Sequence, residues 1–179
     1  MGVRVFERIG GAGDGFRNGG HFPGFETPED MVVEGSAVRA LALGVIRTPP
    51  SDELPGRLAA LRRDLASLFD QFSPDGVAVE QVFFQTNVRT AMSVGQASGL
   101  ALAEAAAAGC DVVQFTPNQV KDSVAGWGGA DKAQVQKMVQ ARLGLSAPPK
   151  PADAADAAAL ALAYLAAAPM RRRLQAAQR

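Results

Sequence analysis

Leu54, Leu58, Leu61, Leu65, Leu68 and Phe72 recur at intervals of three and four, the spacing that lines one face of an α-helix. The segment LPGRLAALRRDLASLFDQF is therefore expected to be an amphipathic helix with its arginines towards solvent, ended by the turn residues SPDG. Ahead of it, VVEG and AVRALALGVIRT read as one long or two short strands closed by the turn signal PPSDELPG. Behind it, VAVEQVFF is apolar on both parities up to Glu80, the mark of an interior strand covered on both faces. A long helix from about Thr86 to Ala108 follows, closed by Gly109. DVVQF reads as another buried strand, TPNQVKDSVAG as a short helix begun by proline, and GWGGADK as a glycine-rich loop. KAQVQKMVQARLG is a further helix, SAPPKP a linker, and Ala152 to Ala168 a last helix. The order β, β, α, β, α, β, α, α, α describes an α/β fold, a mixed β-sheet flanked by α-helices. In such sheets the functional crevice lies at the carboxyl ends of the strands, and Glu80 stands at one of them.

Composition changes this picture at the two ends. Eight of the 19 glycines fall within residues 1–31, where the apolar spacing is irregular, so this leader is expected to be loop-like or poorly ordered. Residues 32–168 then form one domain, and residues 169–179, with Arg171, Arg172, Arg173 and Arg179, a basic and solvated tail. Across the 179 residues, 18 basic and 18 acidic side chains cancel. Only the distribution of charge can therefore speak for or against a polyanionic partner. The lone Cys110 cannot form an internal disulfide and suits a reducing cytoplasm; it reads as a packing residue. No stretch reaches the roughly 18 uninterrupted apolar residues of a membrane span, so a soluble, cytoplasmic protein is expected.

Candidate chemistry begins with acids. Asp153 and Asp156 lie three apart in the first turns of the last helix and so share a face. With Glu80 at a strand end, they can converge on a hard cation. First-turn acids also complement the helix dipole, and a strand-end glutamate is often simply solvated, so the combination carries more weight than any one member. His21 is the only histidine, which leaves oxygen ligands, and hence magnesium or manganese. Lys121, Lys132 and Lys137 are spread through NQVKDSVAGWGGADKAQVQKM, a composition that suits phosphate oxygens as well as a solvated helix face. Phe83, Phe84 and Trp127 are each either core residues or exposed rings able to stack on an unpaired base. Gly95, Gly99 and Ala103 form a small-residue stripe on the long helix, permitting close approach of the sheet or of a symmetry mate.

From Val32 to about Ala168 the chain closely resembles the RuvC family of Holliday junction resolvases, within the RNase H-like nuclease superfamily. The resemblance rests on VVEG and GVIRT, VAVEQVFF, NVRTAMSVGQASGLALA, TPNQVKDSVAGWGGADKAQVQKMV and PADAADAAALALA, in family order and spacing. It implies an RNase H-like fold and a crossover junction endonuclease that nicks four-way DNA symmetrically in recombination and repair. It also implies that Glu80, Asp153 and Asp156 are three of four metal-binding catalytic acids, holding two magnesium ions replaceable by manganese. Lys121 and Lys132 match lysines that approach DNA phosphates, and Phe83 an aromatic placed at the junction's unpaired bases. A homodimer through the helix bearing Gly95 and Gly99 is implied as well, with the RuvA and RuvB branch-migration proteins as candidate partners.

The leader departs from this pattern. The family opens on a buried strand ending in Gly-Ile-Asp-Pro-Gly, whose aspartate is the fourth ligand. Here one register places Phe22 at that position and another places Ile9. Glu7, Asp14, Glu26, Glu29 and Asp30 are the acids nearby. Three explanations follow, in order of preference: a misread frame upstream of Val32, a paralogue that binds junctions without cutting, and a resolvase that recruits another acid.

Overall fold

The computed structural model describes residues 5–7, 25–26, 38, 40, 42–81 and 88–177. Among the described residues its centre is a three-stranded sheet in which β4 (Gly76–Glu80) lies between β1 (Val5–Glu7), antiparallel to it, and β5 (Asp111–Phe115), parallel to it. Among the same residues β2 (Phe25–Glu26) pairs with β3 (Leu43–Gly44) as a two-stranded ribbon. Phe83, Phe84, His21 and the VVEG motif lie outside the described residues.

β4 is buried on both sides, and its alternation divides the core in two. Val77 and Val79 pack with Leu61, Leu65 and Phe69 of α1 (Leu54–Phe72) and with Ala97, Ala101 and Ala105 of α2 (Val88–Ala107). Ala78 points the other way, as a strand's period of two requires. It joins a cluster built from α3 (Pro117–Ala125), α4 (Lys132–Arg142) and α5 (Ala152–Ala177). Such burial on both faces is what an apolar run without alternation demands. β5 differs from its expected burial: only Phe115 is fully buried, while Asp111 and Gln114 are exposed. Among the described residues it pairs with β4 alone.

α5 begins at Ala152 as expected but runs past the expected end at Ala168 into the basic segment, continuing without a break through Pro169 to Ala177. A proline inside a helix removes one backbone hydrogen bond and crowds the preceding turn. Here a tertiary contact holds the helix beyond it. Arg171 Nη2 donates to Asp111 Oδ1 at 2.7 Å, and the Tyr164 hydroxyl donates to Asp111 Oδ2 at 2.9 Å. The guanidinium also lies 5.7 Å from the centre of the Tyr164 ring, within cation–π range. Arg172 and Arg173 are exposed.

Candidate active site

The site is built where β4 leaves the core. Val77, Ala78 and Val79 are buried, whereas Glu80 emerges at the strand's carboxyl end. Glu80 pairs in register with Phe115, and the next residue extends the ladder through Gln81 N–H to Phe115 O at 2.8 Å. The backbone that aims Glu80 is therefore fixed on both sides of the residue.

α5 brings the aspartates to this edge. Ala154, Ala155, Ala157, Ala158 and Ala159 are all buried, and side chains this small let the helix axis lie close to the sheet. Asp153 and Asp156 stand on the remaining face, Asp153 half-buried and Asp156 exposed. Desolvation raises the Glu80 carboxyl above the ordinary carboxylate range, and the negative charge of Asp156 raises it further. The two acids thus sense one another across 76 positions of sequence.

Lysine placement depends on helix capping. Thr116 and Gln119 form a reciprocal capping box at the start of α3, and Asp131 and Gln134 do the same at the start of α4. The second box sets Lys132 at the first position of α4, where its Nζ donates to Asp156 Oδ2 at 3.0 Å. Lys121 is half-buried on α3, and among the described residues neither it nor Asp153 enters an ion pair. The Lys132–Asp156 pair was not legible in the sequence, since nothing local connects a loop-end lysine with an acid on another helix.

Among the described residues, no three histidine, cysteine or acidic side chains are grouped closely enough to hold a metal ion. Asp156 lies near enough to Glu80 for its charge to be felt there, with Asp153 one turn earlier on the same helix. A like-charged pair of oxygen donors, one disfavoured in its ionised form, suits a hard cation, which relieves the repulsion. The backbone of Glu7 pairs with Gly76, four residues along β4 from Glu80, a separation of roughly 13 Å at strand spacing.

Comparison with known proteins bears on this arrangement. The family model described as crossover junction endodeoxyribonuclease RuvC matches residues 20–164. The chain belongs to the RuvC family. Curated RuvC relatives include that of Salinispora arenicola, 52% identical over 145 residues covering 81% of this chain and 83% of the relative. That of Streptomyces avermitilis is 51% identical over 147 residues, covering 80% and 84%. Thermus thermophilus RuvC superimposes with a TM-score of 0.67 at 34% identity, over 78% of this chain and 86% of that one. T. thermophilus RuvC in complex with a Holliday junction substrate matches with the same TM-score at 35% identity, over 75% and 85%. The fold is RNase H-like, as the sequence resemblance implied. The RuvC match contains Glu80, Asp153, Asp156, Lys121 and Lys132, and it begins at residue 20 rather than at Val32. It ends at Tyr164, ahead of the Arg171 anchor.

Proposed function

We infer that this chain is a crossover junction endodeoxyribonuclease, binding four-way DNA junctions and cutting two strands symmetrically. The observation that carries this reading is that Glu80, at the carboxyl edge of the central strand, feels the charge of Asp156, with Lys132 held against Asp156. Held by Glu80, Asp153 and Asp156, two magnesium ions, or manganese in their place, would supply an activated water and stabilisation of the leaving 3′ oxygen. Asp156 has a second role in this chain, because it keeps the Lys132 ammonium beside the acids. There the lysine can meet a phosphate oxygen as a point charge. Lys121, free of any acidic partner among the described residues, serves the same phosphate track. Phe83 is proposed to face the junction's unpaired bases.

A homodimer through α2 would present two such sites to a two-fold DNA junction and so give paired nicks. The outer face of α2 supports this: nothing lies within 4 Å of a Cβ built at Gly95 or Gly99, and Met92 is 57% exposed. A cytoplasmic location and contact with the RuvA and RuvB branch-migration proteins belong to the same reading.

The test is Glu80→Gln on a labelled synthetic four-way junction with magnesium. Symmetric nicks are expected from the wild-type chain and none from the variant, with junction affinity changed by less than about threefold, a free-energy difference under about 0.7 kcal/mol. A wild-type chain that binds the junction but leaves it intact would point to a binding protein instead.

A further inference from the structure

Between α3 and α4 the segment Gly126–Ala130 carries Trp127, 56% exposed. Tryptophan is enriched at interfaces, where its large ring meets a partner. The loop around it is closely specified. Gly126 ends α3 with φ 85°, and its N–H donates to Asp122 O. Only glycine adopts that conformation without strain. Ala130 is fully buried and its N–H donates to Trp127 O at 3.3 Å. The six-membered ring of Trp127 lies against Gly129, where any Cβ would overlap it. The ring thus packs on Gly129 while more than half of the residue's surface remains in solvent.

Its neighbours indicate the partner. The loop runs from the helix of Lys121 to Lys132, which is bonded to Asp156. In sequence the exposed ring thus lies between two lysines, and cations on the backbone with a ring on a base is the combination that holds unpaired nucleotides. In continuous duplex both faces of each base are already stacked, so such a ring finds a partner only where pairing is interrupted.

We propose that Trp127 stacks on an unpaired base of the bound DNA beside the catalytic edge and thereby favours junctions over linear duplex. This rests on the junction-nuclease reading and adds to it a residue that selects DNA structure. Trp127 is the only tryptophan of the chain, so its emission reports the contact directly, without mutation.

The experiment titrates the full-length protein with a synthetic four-way junction in EDTA, so that no strand is cut, exciting at the red edge of the indole band, where tyrosine does not absorb. A gel-shift assay runs in parallel. Saturable quenching by the junction, and none by a linear duplex of the same arms, is expected. Trp127→Ala should lower junction affinity about five- to 150-fold, the value of one base-on-aromatic stack. Its duplex affinity and melting temperature should not change, and Trp127→Phe should restore junction affinity to within about threefold, a difference under about 0.7 kcal/mol. A junction that shifts in the gel while the emission stays constant would overturn the role of Trp127 and leave the nuclease reading standing. Equal quenching by linear duplex would overturn the selectivity. A wild-type chain that shifts no junction would overturn the nuclease reading and this inference with it.

Discussion

Glu80 sits where its ionised form weakens the fold, a cost that the proposed metal role would offset. Its carboxyl is raised above the ordinary range, first by desolvation and then by Asp156. A carboxyl raised in the folded state contributes stability that is fully present below its unfolded value and is lost as pH rises through the folded value. The metal-free protein should therefore give up stability from mildly acidic towards neutral pH. Glu80→Gln should melt higher than wild type at neutral pH in EDTA, and the difference should vanish under acidic conditions. Thermal denaturation across that pH range checks this, and an equal difference at every pH would count against charge as its cause. Cys110, by contrast, has no place at the site. It is half-buried, donates to Pro74 O at 3.3 Å, and its thiol is pushed up by burial and then by Asp75, as a packing cysteine should be.

Among the elements, α5 carries the most consequence, because one end presents Asp153 and Asp156 while the other is tied to the start of β5 through Arg171 and Asp111. The tie passes over Gly76, where a Cβ would overlap the Tyr164 hydroxyl. Gly76→Ala should thus cost about 1–3 kcal/mol through overpacking, lowering the melting temperature by about 2–4 °C for each kcal/mol in a protein of this size. Gly56 is the matched control, lying in α1 with nothing within 4 Å of an added Cβ. Gly56→Ala should raise stability by about 0.5–1 kcal/mol. Calorimetry of the two variants should give shifts of opposite sign. The 3–4 leucine spacing anticipated α1 because such a pattern reports one helix face. The far end of α5 was not legible, since residues 169–179 read as a basic, solvated tail. In the fold Arg171 of that segment pairs with Asp111, 60 residues away in sequence.

At the scale of the molecule, the inner alanines of α2, Ala97, Ala101 and Ala105, pack on the sheet and α1, while the outer stripe of Gly95, Gly99 and Ala103 faces away from the core. The stripe is thus available to a second copy of the chain. Gly99→Arg, which meets no atom of its own chain within 4 Å at the Cβ, should leave the melting temperature within about 1–2 °C yet, by light scattering, convert the proposed dimer into a monomer. Paired nicking should become single nicking with it. A variant that stays dimeric would place the interface elsewhere. Among the described residues no helix is long and apolar enough to cross a membrane.

The sequence by itself determined the helices α1 to α4 and the strands β4 and β5, because hydrophobic spacing, capping residues and glycines act over a few positions and leave a local record. The leader reads as loop-like yet holds β1 and β2, and of the strands expected in AVRALALGVIRT the described residues keep only Leu43–Gly44. Spacing also singled out Glu80, Asp153 and Asp156 as acids able to converge, and the resemblance that the sequence carries gave them a role. Only the tertiary structure decided that Glu80 and Asp156 share one electrostatic environment, that Lys132 is bound to Asp156, that the backbone of Glu7 pairs at the other end of β4 from Glu80, and that Trp127 stands open on a fixed loop. Those relations depend on strand register and on how helices pack across the sheet, and no periodicity along a chain encodes the distance between residues that meet only after it folds.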